Sequence, residues 1–256
     1  MEKIKSAKDI ELLAVSGNIL KSVLDEVIKA VKPGVKLSFL DRLATDLITS
    51  YNAKPSFLGY RPEGAKKAYP ASITTSLDSV VVHGVPDNQI LKEGAVLKID
   101  IGVNYKGYFT DAARTIVVGD KKTQAIKKLI KATEEALYAG IEKARPGNRL
   151  GDIGFAISAV AKKYGVSVVA GLAGHGVGFA PHEDPLVFNI GRQGTGMLIK
   201  EGMVLALEPM FTLSNSEISE VFELPDGSFK TIDGAIAAHF EHTIAILESG
   251  PKILTA

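Results

Sequence analysis

Asp100, Asp111, Glu208 and Glu241 stand in or beside apolar runs, in VLKIDIGV, GYFTDAARTIVV, MVLALEPMF and AAHFEHTIAI. Such runs read as short buried strands. A carboxylate placed there is costly unless it is paired, capped or bound to a metal. Taken singly, each acid has a plain structural explanation as a strand-end cap or half of a buried ion pair, with Arg114 as a partner for Asp111. Taken together they allow another. All five histidines of the chain, His83, His175, His182, His239 and His242, lie in the same group of segments. Carboxylates with one or two imidazoles suit harder divalent ions such as Mn, Fe or Co in five- or six-coordinate sites. Cysteine is absent, which excludes a thiolate zinc site and any disulfide framework.

Spacing adds to this. Asp100 and Asp111 flank an expected hairpin around Asn104–Gly107, so neighbouring strands can deliver both carboxylates to one point. Asp111 and Glu241 each lead into a β-branched run, ARTIVV and HTIAI. His175 lies in AGLAGHGVGFAPHEDP, where Gly171, Gly174, Gly176 and Gly178 suit close backbone approach around a ligand. His182, in the same segment, fits a substrate contact. His239 stands two residues before Glu241 and shares its strand face, whereas His242 points the other way and reads as structural.

The elements that must position these residues repeat. Helical periodicity covers residues 7–31, with Ser6 as N-cap and Pro33-Gly34 as stop, and continues at 38–51, 122–144 and 152–164. KPGVKLSFLDRLATDLITSY (32–51) aligns without gaps on RPGNRLGDIGFAISAVAKKY (145–164), and LKEGAVLKID (91–100) aligns on IKEGMVLALE (199–208). A His-x-x-Pro also occurs twice, at His83–Pro86 and His182–Pro185. The repeat predicts one catalytic domain over 1–256, built from two similar α/β halves, about 1–120 and 121–256, related by a pseudo-twofold axis. Asp100 and Glu208 then occupy equivalent places. Four acids brought to such an axis resist joint ionisation, and dications remove the penalty.

Bulk properties are those of an ordinary globular enzyme, with 46% hydrophobic and 23% charged residues. A net charge of +1 gives no pull toward nucleic acid or an anionic membrane. Charges scattered through the first twenty residues break any signal-peptide core, and no apolar stretch is long enough to span a membrane. A cytoplasmic protein is expected, and a monomer.

Read in order, DIELLAVSGNIL, VKPGVKLSFLDRLATD, VVHGVPD, DIGV with FTDAART, GHGVGFAPHEDP, ALEPM and FEHTI resemble the type I methionine aminopeptidases over nearly the whole chain. The resemblance implies the pita-bread fold, with antiparallel sheets and outer helices. It implies two divalent ions, among Co, Mn, Fe or Zn, and attack of a metal-activated hydroxide on the first peptide carbonyl. It implies removal of N-terminal methionine from newly made proteins and peptides with a small second residue, with nascent chains at the ribosome as partners. Asp100 would chelate one ion, Asp111 and Glu241 would bridge both, and His175 and Glu208 would complete the second site. His83 would contact the backbone after the scissile bond, His182 would steady the carbonyl, and Glu208 would also shuttle the proton to the leaving amine.

The chain departs from that family around the substrate pocket. Tyr60 and Tyr69 can line it, but there is no Cys or Trp. Thr74 stands where a pocket Cys often lies, and Pro181 where Phe is common. EGAKKA (63–68) reads as an insertion, and His239, a possible outer-sphere residue, replaces a neutral polar side chain. Two other readings share the fold. An Xaa-Pro aminopeptidase or dipeptidase is expected to carry an additional N-terminal domain and different sequence around the last two acids. A metal-free binding module is expected to have lost ligands, and here all five are kept.

Overall fold

The computed structural model describes residues 3–61 and 67–256. The chain runs α1 (Ala7–Lys29), α2 (Leu37–Ser50), β1 (Lys54–Pro55), β2 (Ile73–Leu77), β3 (Val80–Val82), β4 (Val96–Tyr105) and β5 (Tyr108–Val117). It continues α3 (Gln124–Lys143), α4 (Leu150–Tyr164), β6 (Ser167–Val169), β7 (Ala173–Gly176), β8 (Glu183–Phe188) and β9 (Val204–Leu207). Then come β10 (Met210–Thr212), β11 (Ile218–Ser219), β12 (Val221–Glu223), β13 (Phe229–Thr231), β14 (Ala237–His239), β15 (His242–Leu247) and β16 (Gly250–Ile253). No helix of the described residues is long and apolar enough to cross a membrane.

The four expected helices form, with ends moved by one or two residues. Ser6 caps α1 in a reciprocal box with Asp9. The helix stops at Lys29, before Pro33-Gly34 rather than at it, because the turn at Gly34 is already tied to the strand region through Gly34 N–H to Leu91 O, 2.9 Å. The second Pro-Gly behaves alike: Gly147 N–H donates to Ile199 O at 3.2 Å. The pairs Lys36–Ile90 and Arg149–Leu198 form matching isolated bridges beside them.

Two large cores each join a pair of helices to a sheet. One gathers α1, α2, β2 and β4, with Leu20, Leu24, Leu40, Ile48, Ile73 and Ile99 fully buried. The other gathers α3, α4, β9 and β15, with Leu129, Ile153, Leu205, Phe211 and Ile244. β4 is the central platform of its sheet. β5 pairs along one edge of it, while β1 and β2 share the other, all antiparallel. Lys106 and Gly107, both with positive φ, close the β4–β5 hairpin where the sequence placed it. In the other main sheet the order is β16-β15-β9-β7-β8.

Candidate metal centre

Asp100 sits within β4 and Asp111 within β5, so Asp111 lies inside its strand rather than ahead of it. Asp100 faces Ala113 across the ladder, and Gly102 faces Asp111. Residues two apart on a strand share a face, so the two carboxylates stand diagonally side by side. Gly102 leaves room there for other chain: a Cβ would lie 1.9 Å from Ser56 Oγ and 2.7 Å from the Phe57 ring. Thr74 of β2 is the partner of Asp100 on its other side and is buried.

His175, on β7, pairs with Ala206 of β9. A Cβ on Gly174 would meet Ala206 O at 2.3 Å, so the flanking glycine permits the close approach expected of it. His175 Nδ1 lies 2.9 Å from Gly176 O. A carbonyl only accepts, so Nδ1 carries the proton and Nε2 keeps its lone pair. Nε2 stands 3.7 Å from Oε1 of Glu208, which follows β9 directly and whose carbonyl accepts from Asn189 Nδ2.

Glu241 falls in the gap between β14 and β15, and β5 reaches across to it. Ala113 and Glu241 exchange both backbone hydrogen bonds, at 2.9 and 3.4 Å. Two residues to one side, Thr243 Oγ1 accepts from Asp111 N–H and donates to Asp111 O, both 2.8 Å. Two residues to the other, Thr115 Oγ1 accepts from His239 N–H at 2.8 Å and donates to His239 O at 2.6 Å. These three rungs form a short antiparallel seam, and they bring Asp111 and Glu241 to one place.

The resulting cluster is buried and electrostatically stressed. Burial first, then neighbouring carboxylates, holds Asp111 and Glu241 well above the usual range. Burial pushes Asp100 up to about 6 and Glu208 up to about 7. Asp100 Oδ1, Asp111 Oδ1 and Glu241 Oε1 are buried with no hydrogen-bond partner. Unpartnered buried carboxylate oxygens beside an imidazole lone pair are the donor set of a divalent cation, so the residues fit a metal. Asp111, His175 and Glu241 offer ligand atoms within 4.8 Å of one another, and Glu208, His239 and Glu241 form a second such group.

The remaining site residues line the approach. His83 follows β3 with φ +61° and stacks edge-on against Phe229 at 5.6 Å. His182 packs edge-on against His175, centroids 4.4 Å apart, and its Nδ1 lies 3.0 Å from Tyr60 Oη. Both rings reach solvent, yet burial against the surrounding protein, then neighbouring imidazoles, lowers His83 to about 4 and His182 to about 3. That combination describes side chains on a concave wall. Tyr69 is tied to Tyr60 by its backbone and donates through its hydroxyl toward Ile73 O and Gly84 O. Pro181 is buried. Of EGAKKA, residues 63–66 lie outside the described residues. A separate concavity of about 580 Å³ between α4 and β11, lined by Phe155, Lys162 and Ile190, contains none of these groups.

One expectation changes and two hold. Arg114 does not pair with Asp111; its guanidinium binds Asp25 of α1 at 2.6 Å, because its side chain leaves β5 on the opposite face. His239 and Glu241 do meet, Nε2 to Oε2 3.9 Å, although the strand breaks between them. His242 points away, with Nδ1 2.8 Å from Thr255 Oγ1 and its ring against Tyr138. The sequence reading missed Thr115 and Thr243, whose only signal is a hydroxyl in an apolar strand. It also missed the buried ion pair of Lys5 Nζ with Glu183, 2.6 Å, which ties the chain start to the residue after His182. Lys98, wholly buried two residues before Asp100, was likewise overlooked; its Nζ donates to Asp78 O at 2.8 Å.

Carboxylates and an imidazole gathered at the seam of such an α/β fold define the class as metal-dependent. Residues 60–248 match the sequence profile of Metallopeptidase family M24, and the chain belongs to that family. It is 44% identical to a methionine aminopeptidase of Clostridium acetobutylicum over 253 residues, 98% of each chain. The crystal structure of a methionine aminopeptidase from Rickettsia prowazekii superposes with a TM-score of 0.94 at 38% identity, covering 100% of both chains. A prolidase from Pyrococcus furiosus shares the fold, with a TM-score of 0.76 at 24% identity over 99% of this chain and 65% of its own. The pita-bread architecture expected from the sequence is therefore the one found.

Proposed function

We propose that this chain is a methionine aminopeptidase that removes N-terminal methionine from peptides and new proteins whose second residue is small. The observation that carries the reading is the convergence of Asp100, Asp111, Glu208, Glu241 and His175, with three buried carboxylate oxygens lacking partners. The closer likeness supports methionine aminopeptidase over the Xaa-Pro enzymes, at 38% identity and a TM-score of 0.94 against 24% and 0.76 for the prolidase. Retention of all five ligands argues against a metal-free binding module.

Asp100, Asp111, Glu241, His175 and Glu208 would hold two divalent ions from the set Co, Mn, Fe and Zn. Bound there, such ions lower the pKa of water and polarise a peptide carbonyl. The chain supplies the rest. For His182 to aim an Nε2 proton at the scissile carbonyl oxygen, the Tyr60 hydroxyl, 3.0 Å from Nδ1 and kept protonated by burial, must be the donor to Nδ1. Glu208, at the end of β9 and beside His175, would take a proton at its carboxylate and return it to the leaving amine. His83 contacts the backbone after the scissile bond, and Tyr60, Tyr69 and Thr74 line the first-residue pocket. We read residues 1–256 as one catalytic domain with halves 1–120 and 121–256. It acts as a cytoplasmic monomer on nascent chains, including those on ribosomes, with no nucleic-acid or membrane partner.

The test is protein loaded with Mn or Co and offered Met-Ala-Ser, Leu-Ala-Ser and Ala-Pro-Ser. Free methionine from the first peptide alone is expected, with turnover abolished in His175→Ala. Cleavage only before proline would overturn the reading, as would near-normal turnover in the variant.

A further inference from the structure

Glu208 presents one oxygen to each of two imidazoles. Its Oε1 lies 3.7 Å from His175 Nε2, and its Oε2 lies 3.3 Å from His239 Nε2. His239 Nε2 is also 3.9 Å from Glu241 Oε2. Donors about 2.0–2.2 Å from one ion stand about 3–4 Å from each other, and these contacts fall in that window. His239 is 1% exposed, and neither of its ring nitrogens has a hydrogen-bond partner. The contact with Glu208 therefore lacks hydrogen-bond geometry, and Nε2 is left aimed at two carboxylates with nothing donated or accepted.

We propose that His239 is itself a metal ligand, so that the ion held by Glu208 and Glu241 carries a second imidazole beside that of His175. The inference rests on the metal centre proposed above and changes its composition. His239 is well placed to bind without reorganising, because its backbone is fixed from both sides. β14 pairs it with Met210 of β10, and Thr115 of β5 grips its N–H and C=O. A second nitrogen donor moves the site from an oxygen-rich one suited to Mn toward one suited to Fe, Co or Zn.

Full-length protein is stripped of metal, loaded with Co(II), and examined by proton NMR for paramagnetically shifted, exchangeable imidazole N–H resonances. Two are expected in the wild type and one in His239→Gln. In competition titrations the preference for Co over Mn should fall about tenfold in the variant, the scale on which metal-site side chains act. Circular dichroism checks that the variant is folded. A single N–H resonance in the wild type overturns the inference whatever the variant does. So does an unchanged spectrum and an unchanged Co-to-Mn preference in His239→Gln; either result leaves the metal centre itself standing. Wild-type protein that takes up no Co(II) removes the centre and the inference together.

Discussion

Lys98 is among the largest fully buried side chains of the described residues, and burial pushes its pKa from 10.5 down to about 7 while the Asp78 carboxylate pulls the other way. Lys98→Met keeps the length and removes the charge. The distance from 10.5 to about 7, at roughly 1.4 kcal/mol per pH unit, caps the cost of the buried ammonium at roughly 5 kcal/mol. Methionine gives up the bond to Asp78 O, worth roughly 1.5–3 kcal/mol for a charged donor. That carbonyl keeps a second donor, Ala237 N–H at 2.9 Å, so it is not orphaned. Below pH 7 the lysine is protonated in folded and unfolded chains alike, and the folded state bears the full cost. Between pH 7 and 10.5 only the unfolded chain holds the proton, so the cost shrinks as pH rises; above 10.5 it is gone. The variant should therefore be more stable by roughly 2–4 kcal/mol near pH 6, and the advantage should fall by roughly 3 kcal/mol by about pH 9.5. Urea unfolding of metal-free protein across that range measures it, and the titration of the nearby acids cancels in the difference. An advantage that stays level or grows with pH refutes the reasoning, as does a variant less stable than the parent near pH 6.

Glu183→Gln strands the Lys5 ammonium, whose side chain is 1% exposed, and should cost roughly 3–5 kcal/mol in urea unfolding. Adding Lys5→Met to that variant should recover most of the loss, and failure to recover would show the pair is not the cause. Tyr60→Phe keeps the ring beside His182 but removes the proton donor to Nδ1. We expect kcat to fall about tenfold with KM little changed, and an unaltered kcat would remove Tyr60 from the orientation of His182. Gly102→Ala puts a methyl 1.9 Å from Ser56 Oγ beside both acids, so melting should show a loss of roughly 1–3 kcal/mol. Metal affinity measured by calorimetry should fall with it, and a variant matching the parent in both would contradict the packing described.

Much of this was legible in the chain itself, for identifiable reasons. A 3.6-residue apolar period marks α1 through α4 whatever surrounds them, and the Lys106-Gly107 turn announces its hairpin by backbone chemistry alone. The acids were legible because a charge in an apolar run needs an explanation. The seam was not. Thr115 and Thr243 look like ordinary strand threonines, and only the meeting of β5 with β14 and β15 gives their hydroxyls backbone partners on both sides. Arg114 was misread for a related reason: proximity in sequence favoured Asp111, but alternation along β5 sends it to Asp25 on α1. His239 was seen to share a side with Glu241, while its approach to Glu208 depends on the pairing of β10 with β14, which no local pattern encodes.

The three rungs joining β5 to the β14–β15 turn also bear on motion. A hinge that opened the protein between its two cores would have to break the Ala113–Glu241 exchange and both threonine clasps at once, pulling Glu241 away from Asp111. The site cannot gape without being dismantled. Fitting to different substrates is thus left to the rim, where His83, His182 and Tyr60 stand on segments outside the seam. Two fragments cut between the cores would each carry two of the acids, and neither could assemble the centre until the seam had re-formed between them.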